Sequence, residues 1–410
     1  MSMTRAISMY VLAALFLFFE MGIQVSPSIM THGLMSDFHI NIFWLGLMSG
    51  AYFITYTAMQ IPAGLFYDRF NVKSVIIIPL VICTIGGLIF SVAPNFYVAS
   101  AARIFMGFGS AFAFIGVLVV ASEVFPKKHF AVVVGMTQML AALGAMCGEL
   151  PLVPLVHHFG WRITMVMVSM IGVLLIIAIL LFMRLPKKNK KESSMSITKG
   201  LGLVVKNPQS WIVALYACLL WAPMAAVASL YGPPFVEKYF HVSLEMSATI
   251  IVMMWVGIAI GSPIFGFMSD KSGNRKFWLS LTAILGALAF SVLLYAPING
   301  LSLLIILFLL AGAACAGQAL SFALVRDNNN ENNLATAIGF NNMAVVLAGF
   351  IFQPVVGYVI QKNSVQTAHD TSYLYSAGSY HAGMTVILGC YVVGALVAIF
   401  LIQSKHPCKN

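Results

Sequence analysis

The feature that most constrains this chain is a repeated one: an apolar run of about twenty residues or more, closed by a short polar or Gly/Pro-rich break. Twelve such runs can be marked, at 6–31, 43–67, 73–93, 97–121, 130–156, 161–184, 209–236, 245–269, 277–296, 301–325, 334–361 and 379–403. Each is long enough to cross a bilayer as a helix. The composition agrees, with 60% of residues apolar and 8% charged, against about 45–50% and about 25% in soluble domains. A soluble fold of this length could not cover its own core with so few polar residues. A cytosolic enzyme, a secreted disulfide scaffold and a disordered chain are therefore excluded. A β-barrel is excluded too, because its segments are short and alternate. The fold class is an all-α membrane protein with twelve transmembrane helices.

The basic residues test that count independently. With the N-terminus in the cytoplasm, eighteen of the 22 Lys and Arg fall in cytoplasmic segments. Arg162, Lys238 and Lys362 fall outside, and Arg103 lies within a span. This bias predicts the span number and the orientation together, with both termini cytoplasmic. It also removes the net charge of +10 as a sign of nucleic-acid binding. The six cysteines are scattered, with no CxxC or Cys/His cluster, so they read as reduced packing residues; no metal or cofactor is expected. The run after Arg5 is too long for a signal peptide and reads as the first span. His32, His39, His157, His158, His241 and His369 fall on the outer side, as solvated loop residues or as sensors of external acidity.

The longest polar stretch, 185–207, carries Lys187, Lys188, Lys190 and Lys191 and divides the spans six and six. The expectation is two six-helix bundles, 1–184 and 208–410, joined by a cytoplasmic linker that meets anionic lipid or solvent. The halves share a signature. After the second span the chain reads Gly64-Leu-Phe-Tyr-Asp68-Arg69-Phe-Asn71-Val-Lys73, and after the eighth Gly266-Phe-Met-Ser-Asp270-Lys271-Ser-Gly273-Asn-Arg275. Two copies at equivalent positions argue for a duplicated unit with pseudo-two-fold symmetry. Gly64 and Gly266 would let helices approach closely. Asp68 and Asp270 could cap a helix N-terminus of the opposite half. Arg69, Lys73, Lys271 and Arg275 could hold carboxylates or lipid phosphates, with Glu123 at the end of span 4 as the partner of Arg69. Such contacts would latch the halves on the inner side; the alternative is a basic turn that only fixes topology.

At these residues the chain resembles the major facilitator superfamily, whose most diagnostic motif is this doubled cytoplasmic loop. Asn71 stands where glycine is usual, and Asn tolerates positive φ well enough for the turn to survive. Further segments are similar to a proteobacterial branch that includes intraphagosomal amino-acid and nutrient transporters: Ser26-Pro27-Ser28, Gln60-Ile-Pro62, Arg103-Ile-Phe-Met-Gly107, Gly148-Glu149-Leu-Pro151, Gly160-Trp161-Arg162, Gly339-Phe-Asn341-Asn342 and Gln353-Pro354. The resemblance implies the major facilitator fold, a bacterial inner-membrane location and a monomer that moves a small-molecule substrate. Span 5 keeps Gly144 and Gly148 but lacks the Gly-Pro signature of the drug/proton antiporters, which weighs against efflux.

Spanning helices exclude charge, because a central Asp, Lys or Arg costs about 2.5–3.5 kcal/mol on insertion scales. Glu20, Arg103 and Glu149 are deep nonetheless. Spans 4 and 5 are antiparallel neighbours, and the rise per residue puts Glu149 near the level of Arg103, so a Glu149–Arg103 pair is predicted. That pair would leave Glu20 without a basic partner. Burial disfavours the charged form of a carboxyl, as a proton-coupling group requires. Glu20 is therefore the first candidate for the proton and Glu149 the second. If Glu149 titrates instead, Arg103 is freed for a substrate carboxylate; a purely structural ion pair is the remaining reading. Gln24, Tyr52, Tyr56, Gln138, Tyr216, Trp221, Asn341 and Asn342 sit at depths where they could line a polar cavity, or bond between helices. Pro27, Pro62, Pro151, Pro154, Pro223, Gly232-Pro233-Pro234, Pro263 and Pro354 interrupt spans, with Gly232-Pro233-Pro234 as a candidate outer hinge and static kinks as the alternative.

No P-loop and no hydrolytic constellation is present, so neither an enzyme nor an ATP-driven pump is expected. These residues point to secondary transport, with proton-coupled uptake of an amino acid or nucleoside-like solute as the leading expectation. Proton-driven efflux of a drug or siderophore is a second. A non-transporting sensor on the same scaffold is a third.

Overall fold

A helix that is apolar on every side is stable only against another helix or against lipid. The computed structural model shows how this chain meets that demand. It describes residues 3–125, 130–184, 197–298, 300–329, 334–366 and 373–403, with the side chains of 68, 122, 130–135, 197–200, 334–335, 366 and 373–374 outside the described set. Two compact units emerge, Met1–Ile40 with Leu47–Lys191, and Asn41–Gly46 with Glu192–Asn410.

The first unit runs α1 (Met3–Val25), a 3-10 turn (Ser26–Ile29), α2 (Thr31–Phe38), α3 (Ile42–Ala58, whose first residues belong to the second unit), α4 (Gln60–Arg69), α5 (Val72–Ser91), α6 (Phe96–Ser110), α7 (Ala113–Val124), α8 (Phe130–Cys147) and α9 (Leu152–Phe182). The second runs α10 (Ile197–Lys206), α11 (Pro208–Ala222), a π-helical segment (Pro223–Tyr231), α12 (Gly232–Phe240), α13 (Leu244–Ser272), α14 (Arg275–Tyr295), α15 (Leu301–Ala314), α16 (Gly317–Asn328), α17 (Leu334–Lys362) and α18 (Ala377–Leu396), with a π turn at Val397–Leu401. The one described hairpin pairs Val365–Gln366 with Tyr373–Leu374 antiparallel. Among the described residues, ten segments are long and apolar enough to cross a membrane as they stand, or up to eleven if α2 and α3, bent by 108°, count as one. The predicted second span is split between α3 and α4, and the fifth is carried by α8. The predicted linker holds α10, while 185–196 lies outside the described residues, as do His369 and Cys408.

Some prolines mark helix breaks, whereas Pro263 and Pro354, expected to interrupt spans, lie inside α13 and α17. Pro27 follows the end of α1, Pro223 opens the π-helical segment, and Gly232-Pro233-Pro234 starts α12 with helical backbone angles at Gly232. The α6–α7 and α15–α16 interruptions occupy matching places in the two units, and buried tyrosines brace both. Tyr67 Oη donates to Phe112 O at 2.9 Å, and Tyr391 Oη to Ala311 O at 2.8 Å. Tyr216, expected as a cavity group, is such a brace too: it donates to Leu279 O at 2.8 Å.

Close packing uses glycines other than the pair expected for it. A Cβ on Gly148 would lie 2.5 Å from Gly22 Cα and O, and one on Gly144 2.5 Å from Phe18 O, so α8 lies backbone to backbone on α1. Gly261 does the same for α13 on α15, where a Cβ would lie 3.0 Å from Ala313 Cα. Around Gly64 and Gly266 there is nothing within 4 Å of a Cβ position, so neither mediates a close approach.

At Gly160 the backbone takes φ +75°, which only glycine adopts readily, and α9 turns there. The residues that follow form a staple. Trp161 Nε1 donates to Asp37 Oδ2 at 3.0 Å and Arg162 Nε to the same oxygen at 3.1 Å. Arg162 Nη1 also donates to Ala93 O at 2.8 Å. The Gly-Trp-Arg segment thus ties α9 to α2 and to the end of α5.

Candidate functional site

In the first unit the last turns of α1, the middle of α3 and the middle of α6 bring three of the sequence candidates together. Glu20 and Tyr52 have no exposed surface, and Arg103 has 1%. Tyr52 Oη donates to Glu20 Oε1 at 2.8 Å. The Tyr56 phenol, half-buried, is a second hydroxyl within reach of the same carboxyl. The Arg103 guanidinium lies over the Tyr52 ring, 4.6 Å from its centroid. A carboxyl, a phenol and a guanidinium are therefore in sequence, each touching the next.

Arg103 has other partners than the one expected. Nη1 donates to Ile23 O at 3.1 Å, and Nη2 to Gln24 O at 3.2 Å and Ser49 O at 3.4 Å. The predicted pair with Glu149 does not form among the described residues; backbone carbonyls engage the guanidinium instead. Glu149 is itself fully buried, just beyond the end of α8. Gln24 is buried beside Glu20's helix turn, and its carbonyl is one of those that Arg103 holds. Gln138, by contrast, is exposed.

The second unit contributes neutral groups. Trp221 is half-buried and meets Trp255 edge-on at 6.5 Å. Asn341 is 1% exposed; its Nδ2 donates to Ser321 Oγ at 2.8 Å, while Oδ1 has no hydrogen-bond partner. Asn342 is half-buried. Gln353, fully buried, donates from Nε2 to Ala225 O at 2.8 Å, within the π-helical segment. A short π stretch leaves a carbonyl outside the α-helical pattern, and a buried amide satisfies it here.

The two signature loops differ in use. In the second copy Arg275 is paired with Asp270 and bonds Asp327 at 3.0 Å and Ser269 Oγ at 3.2 Å. Within its own unit Asp270 therefore serves as a partner of Arg275. In the first copy Arg69 is exposed and makes no ion pair among the described residues, so the expected bond to Glu123 is not formed. Lys73 Nζ donates instead to Leu180 O at 2.8 Å, in the last turn of α9. The Asp68 side chain lies outside the described residues. Asn71 does not adopt positive φ: at φ −66° it caps α5 by accepting from Lys73 N, whereas Gly273 takes φ +67°. Lys271 is exposed. Sequence reasoning missed Asp327, although it closes α16 as Glu123 closes α7, at nearly the spacing that relates the two signatures.

Comparison with known proteins agrees with this architecture. The family model described as Major Facilitator Superfamily matches residues 10–352 and 224–409. The inner membrane transport protein YdhP of Escherichia coli K12 is 27% identical over 229 residues, 53% of this chain and 56% of that protein. The chain thus spans little more than half the length of that relative. The hexuronate transporter of Bacillus subtilis is 22% identical over 352 residues, 80% of this chain and 81% of that protein. Among solved structures, a bacterial homologue of the human lysosomal transporter Spinster superposes with a TM-score of 0.81 at 17% identity, covering 97% of each chain. The nucleoside transporter NupG (D323A mutant) superposes at 0.76 and 14%, covering 96% of this chain and 100% of that one. At such identities the likeness is one of fold.

Proposed function

The chain belongs to the Major Facilitator Superfamily, whose members are transporters and not enzymes, and from that premise we propose that this multi-pass membrane protein couples proton entry to uptake of a small polar solute by alternating access. The observation that carries the proposal is the buried Glu20–Tyr52–Arg103 sequence. An intramembrane carboxyl is costly unless it works. Here it faces a phenol, and no basic side chain among the described residues bonds it, so it could take up and release a proton without breaking an ion pair. Glu149 is the second proton candidate.

The solute is an amino acid or a nucleoside-like compound. Arg103 is held by carbonyls, so recognition falls to neutral groups: Tyr56 is the candidate within the first unit, and Trp221, Asn341 and Asn342 are candidates within the second. Asn341 Oδ1, buried without a hydrogen-bond partner among the described residues, is the acceptor such a solute would use. One of the structural relatives is named as a nucleoside transporter and one sequence relative as a hexuronate transporter, which supports a polar cargo. The location follows as the bacterial inner membrane, with both termini cytoplasmic and the protein a monomer.

The test uses purified protein in proteoliposomes. A thermal-shift screen of amino acids, nucleosides and organic acids identifies a ligand, whose uptake is then driven by a pH gradient. Glu20→Gln should abolish uphill accumulation and leave counterflow exchange. Unchanged accumulation would remove Glu20 from the coupling role; outward pumping would reverse the direction, and binding without flux would make the protein a sensor.

A further inference from the structure

We infer that Arg103 is the cap of a proline break in α1, and that Tyr52 couples this cap to the charge on Glu20; the second half rests on Glu20 being the proton site proposed above. Proline has no N–H, so Pro27 denies Ile23 O the donor that a continuous helix would supply four residues on. α1 ends at Val25, and the chain continues as the 3-10 turn Ser26–Ile29. The carbonyls released by that break lie in a dry interior and must find other donors.

They find Arg103. Its Nη1 donates to Ile23 O at 3.1 Å, beside Ser26 Oγ, which donates to the same oxygen at 3.0 Å. Its Nη2 donates to Gln24 O at 3.2 Å and reaches Ser49 O of α3 at 3.4 Å. A guanidinium is suited to this, because its fork serves two carbonyls at once and its charge complements a helix C-terminus. No carboxylate among the described residues pairs with it. Its charge is met by carbonyl dipoles and by the face of Tyr52, 4.6 Å away.

Tyr52 faces both ways. Its ring supports the cap, and its hydroxyl donates to Glu20 Oε1 at 2.8 Å. Glu20 lies one turn before the capped carbonyls on the same helix. Among the described residues, the titratable groups facing it are Tyr52 and Tyr56 from α3 and Cys83 from α5; Arg103 from α6 lies beyond Tyr52, over its ring, and α8 presents Gly144 and Gly148 to α1. A phenol binds a carboxylate more strongly than a neutral carboxyl. Proton uptake at Glu20 therefore loosens the hydroxyl that fixes Tyr52, and with it the ring beneath Arg103. The turn at Ser26–Ile29 is then the element that a proton unlocks, and Tyr52 is a positioning residue rather than a solute contact.

The experiment uses the full-length protein. Arg103→Gln leaves the two carbonyls without their cationic donor and should lower Tm by about 4 °C. Pro27→Ala restores an N–H for Ile23 O, so the Pro27→Ala/Arg103→Gln double variant should regain at least half of that loss. A double variant no more stable than Arg103→Gln overturns the cap. Should Arg103→Gln not fold, Arg103→Lys carries the same comparison, since an ammonium cannot serve both carbonyls with one planar fork. Tyr52→Phe keeps the ring and removes the hydroxyl. Losing a hydrogen bond to the charged form should move the pH of half-maximal uptake about one unit toward alkaline, and an unmoved profile overturns the coupling. Glu20→Gln is measured alongside. If it keeps uphill, pH-dependent uptake, the proton-site reading itself has failed. If it abolishes that uptake while Tyr52→Phe behaves as wild type, only the coupling has failed.

Discussion

The glycine contacts predict opposite outcomes for one and the same substitution. In Gly148→Ala the new methyl would lie 2.5 Å from Gly22 Cα and O and 2.8 Å from Val25 Cγ2. Carbon atoms pack at about 3.5–4.0 Å, so α8 and α1 must part by about 1 Å. Gly22 offers only backbone, and no rotamer change relieves it. Overpacking of this kind costs about 1–3 kcal/mol. Gly148 lies just past the end of α8, so alanine's helix propensity offsets little of that cost. A loss of about 1–2 kcal/mol lowers Tm by about 2–6 °C. Gly64→Ala is the control. It lies inside α4 with nothing within 4 Å of its Cβ position, so alanine should gain about 0.5–1 kcal/mol and raise Tm by about 1–3 °C. Thermal unfolding of the full protein in detergent, followed by tryptophan fluorescence, reads both variants. Equal Tm values for the two, or a lower one for Gly64→Ala, would refute the assignment of close packing to Gly148 rather than to the signature glycine.

Asp327→Asn should destabilise the second unit by about 1–2 kcal/mol, because the Arg275 side chain is only 10% exposed and loses one of its two carboxylates; denaturant titration measures the loss, and Asp270→Asn, at an Asp side chain 65% exposed, should cost less. Gly160→Ala forces a side chain into φ +75° and should cost about 1–3 kcal/mol, read as a lower Tm with intact helical circular dichroism.

The all-helical membrane fold was legible beforehand because long apolar runs report directly on the bilayer. The span limits and the doubled loop depend on local sequence alone. The deep residues Glu20, Arg103 and Glu149 were also legible, since a charge in an apolar run needs no structure to be noticed. Their partners were not. The expected Glu149–Arg103 pair assumed that a cation seeks an anion, but Pro27 had left carbonyls nearer at hand, and a backbone acceptor carries no signature of its own. The roles of Gly64 and Gly266 failed for a related reason. A glycine marks permission for close approach, and only the neighbouring helix decides whether it is used. Asn71 shows the same limit: it caps α5 where its counterpart Gly273 turns left-handed. Asp327 was within reach, had the spacing between the signatures been carried on to the ends of the fourth and tenth spans.

Among the described residues, the charged side chains placed deep in the first unit's apolar segments are Glu20, Arg103 and Glu149, whereas the second unit answers at depth with Asn341, Gln353 and Ser321. A membrane voltage does work only on net charge, about 2.3 kcal/mol for one charge carried through 100 mV. The deep side chains on which a voltage could do such work are therefore those of the first unit.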